Sequence, residues 1–152
     1  MLIHSYSLAA LGSLLAALWF TPAPQQARTI SIRSGDDLKY TVTRIDAVRG
    51  ERLRIVLTVT GKIPKTVMAH NVVVLKKGTD AAAFANASAV ARDSGYVAPA
   101  FAPQILAATP LAGPGETVEV AFVAPRVPGK YEYVCSFPGH FISGMRGVLV
   151  VK

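Results

Sequence analysis

Apolar and polar residues alternate along most of the chain that follows residue 27. A period of two is typical of β-strands with one buried face. In residues 52–60, every second side chain from Leu53 to Val59 is apolar, whereas the intervening positions carry mostly charged or hydroxyl groups. Similar alternation predicts four further strands, over residues 29–33, 36–48, 116–123 and 130–135. Apolar runs predict two more, over residues 67–75, where the polar pair His70-Asn71 interrupts the run, and over residues 147–151.

One segment departs from this alternation. Residues 79–92 are rich in alanine, which has the highest helix propensity, and Thr79 or Asp80 can cap the first turn. We therefore predict one short helix there, and an irregular path for the Pro- and Ala-rich residues 94–114. Short strands separated by Gly and Pro turns, with a single helical insertion, predict an all-β fold, either a β-sandwich or a small barrel.

The N-terminal segment has a different character. Residues 1–27 contain no Lys, Arg, Asp or Glu, and residues 6–20 are almost wholly apolar. This run is shorter than the ~20 residues that a membrane-spanning helix needs. We predict that residues 1–27 are a signal peptide, or alternatively a retained N-terminal anchor, and that residues 28–152 form one domain in the periplasm or otherwise outside the cytoplasm.

Composition and charge narrow the function classes. The chain has 152 residues, of which 51% are hydrophobic and 16% charged, so it is not a disordered protein. Its 16 Lys and Arg against 9 Asp and Glu give a net charge of +7, but these residues are scattered, which argues against a nucleic-acid interface. A single Cys excludes an intrachain disulfide.

Candidate metal ligands are concentrated near the C-terminus. Cys135, His140 and Met145 lie in the loop between the last two predicted strands, and His70 interrupts the apolar strand 67–75. Taken alone, each of these residues is equally well explained as an ordinary buried residue of the core. Together, a thiolate and two imidazoles suit copper or zinc, and the same set with a long axial Met is the blue-copper arrangement.

The stretches IPKTVMAHNVVV (63–74) and CSFPGHFISGM (135–145) resemble the cupredoxins of the azurin and auracyanin group. The resemblance runs from about Leu38 to Lys152. It implies a Greek-key β-sandwich with one type 1 copper. The residues that would hold it are His70, Cys135 and His140 as equatorial ligands and Met145 as the weak axial ligand. The four residues between the second His and the Met match auracyanin, because azurin has one fewer.

The resemblance also suggests roles for residues beside the ligands. Ala69 stands where azurin has a Gly whose carbonyl approaches the metal, so we expect four ligands and no fifth contact. The Asn71 side chain is expected to tie its strand to the ligand loop through Ser136. The amides of Asn71 and Phe137 are expected to donate hydrogen bonds to the Cys135 sulfur, which tunes the metal.

These assignments imply a soluble electron carrier that cycles between Cu(I) and Cu(II). Redox partner proteins, attracted by the positive charge if they are acidic, are expected to dock near His140. The docking patch would be apolar, formed by Phe137, Pro138, Phe141, Ile142 and Gly144. We expect a monomer.

Three other functions use some or all of the same side chains. Copper storage or delivery uses the same ligands, but delivery proteins are often rich in Met or His, and only Met68 and Met145 follow residue 27. An enzyme with a Cys135–His140 nucleophile pair lacks an orienting third group, so we predict no enzyme activity. A zinc site with the same Cys and His ligands is a lesser variant.

Overall fold

Two β-sheets pack against each other in the computed structural model, which describes residues 26–152. The eight strands are β1 (Arg28–Ser34), β2 (Arg44–Ala47), β3 (Arg52–Val59), β4 (Val73–Leu75), β5 (Ile105–Ala108), β6 (Thr117–Val123), β7 (Gly129–Val134) and β8 (Arg146–Val151). One sheet has the order β1-β3-β6 and the other β2-β8-β7-β4-β5. The predicted all-β sandwich with one helix is therefore confirmed.

The core lies between the sheets because each long strand buries alternate side chains. Leu53, Ile55 and Leu57 of β3 are fully buried, while the positions between them are exposed or half-buried. They pack in one cluster with Tyr133 of β7 and Leu149 of β8, which belong to the opposite sheet. Burial of such side chains contributes roughly 1.5–3 kcal/mol each, so this layer supplies the rigid frame on which the loops are built.

Two predicted strands are shorter than the sequence suggested. Of residues 36–48 only β2 is a strand. Leu38 interrupts the extended chain because it lies in a turn and adopts a left-handed conformation, with φ of 56°. Its N–H donates to the carbonyl of Gly35 at 3.2 Å. Of residues 67–75 only β4 is a strand, although His70 forms an isolated bridge with Ala112. The prediction of an irregular path for residues 94–114 was wrong at β5, which pairs with β4.

The predicted helix is present as α1 (Ala81–Ala89). Asp80 is its N-cap, since its carboxylate accepts the backbone N–H groups of Ala82 and Ala83, each at 3.0 Å. Phe84 anchors the helix to the outer face of the five-stranded sheet, where it packs with Val73 and other side chains in a second apolar cluster. Two short 3₁₀ helices, Arg92–Ser94 and Pro99–Gln104, complete the insertion.

Replacing Asp80 with Ala is expected to lower the free energy of unfolding by about 1 kcal/mol, because two N–H groups of the first turn lose their acceptor. Urea unfolding of the metal-free protein measures the change. Thr79→Ala is the matched control. Thr79, the other candidate cap, precedes the N-cap residue Asp80, so its replacement should leave the free energy of unfolding nearly unchanged. Equal losses in both variants would contradict the assignment of the cap.

The predicted targeting segment, residues 1–27, lies outside the described residues except for its last two. Among the residues described, no helix has the length and apolar character needed to cross a membrane.

Candidate metal centre

Three side chains with metal-binding atoms converge at one end of the sandwich. The imidazoles of His70 and His140 and the thiol of Cys135 place one ligand atom each within 4.8 Å of one another. Strand pairing explains how residues so distant in sequence meet. Val73 of β4 lies opposite Val134 of β7, so His70, just before β4, and Cys135, just after β7, emerge side by side.

Backbone hydrogen bonds close the loop that carries the other predicted ligands. The N–H of Met145 donates to the carbonyl of His140 at 3.0 Å, and the N–H of Cys135 donates to the carbonyl of Met145 at 3.1 Å. Gly139, with φ of 81°, turns the chain between them in a conformation that other residues rarely adopt. The loop thereby holds Cys135, His140 and Met145 together, and the Met145 side chain is fully buried in the core cluster.

Burial sets the protonation of the three converging side chains. Relative exposure is 0% for Cys135, 1% for His70 and 4% for His140. Burial raises the pKa of the Cys135 thiol to about 11, and it lowers the pKa of His140 to about 4, with a further lowering from the neighbouring His70. Burial also lowers the pKa of His70. Both imidazoles are therefore neutral near pH 7, with lone pairs available to a metal ion.

The residues present fit a metal ion. Nδ1 of His70 is buried and has no hydrogen-bond partner among the described residues, which is costly for a polar atom unless something else uses its lone pair. Sγ of Cys135 lies 3.3 Å from Nδ1 of His140, and the ring centroids of His70 and His140 are 4.9 Å apart. Soft sulfur with two imidazole nitrogens is a donor set that suits copper.

Asn71 joins the two parts of the centre, as the sequence predicted. Its side-chain nitrogen donates to Oγ of Ser136 at 2.8 Å, and its side-chain oxygen accepts the Ser136 N–H at 2.9 Å. Both residues are buried, so water does not compete for these bonds. The bridge fixes the segment that carries His70 against the loop that begins at Cys135.

The Cys135 sulfur accepts hydrogen bonds from the backbone N–H groups of Asn71 and Phe137, which partly offset the effect of burial on its pKa. The carbonyl oxygen of Ala69 lies 4.0 Å from the same sulfur. A set of four ligands without this carbonyl stays a prediction.

Sequence reasoning missed two aromatic residues near the centre. Tyr40, which lies within the predicted strand 36–48, is 4% exposed, and its hydroxyl donates to the carbonyl of Asn71. Tyr96 packs edge-on against Phe137, whose ring in turn lies 4.9 Å from that of His140. No local pattern marks either residue, because both contacts are made across large distances in the sequence.

The surface over the ligand loop differs in part from the predicted apolar patch. Ile142 is 83% exposed, and Pro138 and Phe141 are half-buried. Phe137 is only 9% exposed because its ring covers His140 and is covered by Tyr96. Phe137 therefore belongs to the inner wall and contributes little to the outer surface.

Comparisons with known proteins agree with this geometry. The family model for copper-binding proteins of the plastocyanin/azurin family matches residues 26–152. Auracyanin-A of Chloroflexus aurantiacus is 38% identical over 126 residues, which cover 82% of this chain and 74% of that protein. Auracyanin-B of the same organism is 33% identical over 137 residues. That match covers 82% of this chain but only 52% of the length of auracyanin-B.

A solved structure shows the same likeness in three dimensions. Auracyanin A of Chloroflexus aurantiacus, described as a "blue" copper protein, superimposes with a TM-score of 0.72 at 34% identity. The superposition covers 84% of this chain and all of the solved one.

Proposed function

Because this chain belongs to the plastocyanin/azurin family of copper-binding proteins, we propose that it is an exported electron carrier, not an enzyme, whose single copper cycles between Cu(I) and Cu(II). The observation that carries the proposal is the buried convergence of His70, Cys135 and His140. A visible spectrum and a voltammogram of the copper-loaded protein test it. We expect an intense thiolate-to-copper band and a reversible one-electron wave.

We assign four residues to hold the copper: His70, Cys135 and His140 as the strong ligands and Met145 as the weak one. The ion supplies a one-electron redox couple. The protein's part is to keep the ligand atoms in place in both oxidation states, so that little energy is spent on rearrangement. The loop hydrogen bonds and the Asn71–Ser136 bridge support this role, because they tie the ligand-bearing segments to the sheets.

Burial of the ligands favours electron transfer over copper delivery. Delivery to another protein requires ligands that an incoming chain can reach, whereas Cys135 and Met145 are fully buried and His140 is 4% exposed. An electron needs no such opening, since it passes through the packed wall of the centre. The scarcity of Met residues after residue 27 points the same way.

The exposed apolar surface beside the loop supports docking near His140. Pro138, Phe141 and Ile142 lie within two residues of His140 in the chain and are half-buried or exposed, and a small apolar contact suffices for a short-lived redox complex. The net charge of +7 would steer an acidic partner toward the protein. Export to the periplasm, or outward anchoring if residues 1–27 are retained, rests on the uncharged apolar run at the N-terminus.

Replacing His140 with Gly is expected to open the copper to small ligands. Because the His140 side chain is almost wholly buried, its removal leaves a cavity that added imidazole can enter. The visible band should change in the variant and return toward the wild-type spectrum when imidazole is added. Wild-type protein with imidazole is the control. A variant spectrum identical to that of the wild type would contradict the role assigned to His140.

A zinc site would give a different result from the same preparation. Metal analysis of protein purified with its native metal distinguishes the two ions, since zinc is colourless and gives no redox wave. Stoichiometric zinc, together with failure of copper to produce the band, would overturn the proposed function.

A further inference from the structure

Tyr40 places a phenolic hydroxyl in the wall of the metal centre. Its ring packs against that of Tyr133, with the centroids 5.8 Å apart, and its hydroxyl donates to the carbonyl oxygen of Asn71. Backbone and side-chain bonds between Thr41 and Arg33, at 3.0 and 2.8 Å, fasten the segment that carries Tyr40 to the end of β1. The hydroxyl is therefore held at a fixed point and is not free to rotate into solvent.

Asn71 is held on every side by this arrangement. Its N–H donates to the sulfur of Cys135, its side chain bonds Ser136, and its carbonyl receives the hydroxyl of Tyr40. The single proton of the Tyr40 hydroxyl is donated to this carbonyl, so the hydroxyl acts on the sulfur through Asn71. A buried thiolate depends on donors such as the Asn71 N–H, because no water reaches it.

We propose that Tyr40 is a positioning residue for the copper centre, whose hydroxyl fixes the Asn71 backbone beside the Cys135 sulfur. This inference rests on the proposed function and extends it, since it names a residue that tunes the reduction potential from outside the ligand set. Asn71 and Phe137 supply N–H donors from the backbone, whereas Tyr40 acts through a side chain that substitution can change.

The direction of the effect follows from charge. Donors at the sulfur draw electron density away from the metal, which favours the ion of lower charge, Cu(I). Loosening the Asn71 N–H from the sulfur, as loss of the Tyr40 hydroxyl would do, should therefore lower the reduction potential. It should also raise the energy of the sulfur electrons, so that the thiolate-to-copper band moves to longer wavelength.

Tyr133 provides a matched control within the same core. Its hydroxyl also donates to a backbone carbonyl, that of Val42, at 2.7 Å, and its side chain is fully buried. Tyr40→Phe and Tyr133→Phe each remove one buried hydroxyl and leave one carbonyl without its partner. A purely structural role for Tyr40 predicts that the two variants behave alike.

The experiment compares both variants with the wild type in three measurements. In urea unfolding of the metal-free protein, both variants should lose similar stability. In voltammetry and visible spectra of the copper-loaded protein, only Tyr40→Phe should show a lower potential and a band at longer wavelength. In hydrogen exchange of the metal-free protein, the Asn71 amide should exchange faster in Tyr40→Phe than in Tyr133→Phe.

Each outcome bears on one claim. Wild-type potential and spectrum in Tyr40→Phe would overturn this inference, whereas absence of the band and wave in the wild type would overturn the proposed function instead. Should Tyr40→Phe fail to fold, fluorotyrosine can be incorporated at position 40 alone. Its more acidic phenol bonds the Asn71 carbonyl more strongly and holds the Asn71 N–H more firmly at the sulfur, so the potential should rise. An unchanged potential there would also overturn the inference.

Discussion

Copper-loaded protein in which Cys135 is replaced by Ser is expected to lose its intense visible absorption completely. The band requires transfer of electron density from a thiolate sulfur to the metal, and Cys135 is the only Cys in the chain. A serine hydroxyl is harder and is rarely ionised, so it cannot take over this role. Absorption spectra, recorded beside metal analysis, separate loss of the band from loss of the ion.

Two results would speak against this assignment. A blue Cys135→Ser variant would show that another group produces the band. A wild-type protein that binds copper without colour would show that the sulfur is not a ligand. Ser136→Ala serves as the neighbouring control, because it perturbs the bridge to Asn71 while leaving the sulfur in place, and it should retain the band.

Gly147→Ala is expected to destabilise the metal-free protein by about 3 kcal/mol. Gly147 of β8 lies opposite Tyr133 of β7, and the aromatic ring covers it so closely that an added Cβ would lie 2.6 Å from Cε2 and closer still to Cζ and the hydroxyl. Tyr133 is fully buried and its hydroxyl bonds the carbonyl of Val42. The ring cannot move aside without losing that bond and its packing in the core.

Urea unfolding measures this loss, and Gly35→Ala provides the control. A Cβ at Gly35 would meet its nearest neighbour, Oγ1 of Thr60, at 3.4 Å, which is ordinary contact, so stability should change by less than about 0.5 kcal/mol. Tyr133→Leu removes the opposing ring, so Gly147→Ala should lower the free energy of unfolding by less in that background than in the wild type. A loss below about 1 kcal/mol for Gly147→Ala alone would show that the ring yields easily.

The fold class was predictable because it depends on local patterns. Alternation in residues 52–60 directly reflects the buried face of β3, and the alanine-rich segment with its Asp80 cap reflects α1. Strand ends were less predictable. Leu38 leaves the extended conformation in a turn. The carboxylate of Asp36, in the same segment, accepts the N–H of Lys62, 26 residues away in the sequence, at 2.9 Å. Such long-range bonds have no signature in the local alternation.

The metal centre was predictable to a different extent. Its candidate ligands were recognisable because residues that are rare in this chain, one Cys and few His, occur at the spacing found in cupredoxins. The surroundings were not. Tyr40 and Tyr96 reach the centre from other parts of the chain, and the burial of Phe137 follows from its contact with Tyr96. Contacts of this kind depend on how the loops pack, which an isolated sequence pattern does not record.

The complete burial of Cys135 also protects the protein before the metal arrives. Outside the cytoplasm, an accessible thiolate is readily oxidised or joined to a second chain through a disulfide. Here the thiol is shielded and its pKa is raised to about 11, so almost none of it is in the reactive form. In the exported protein that we propose, a newly folded, metal-free chain would therefore keep its sulfur intact in an oxidising environment, so that copper can be taken up after folding.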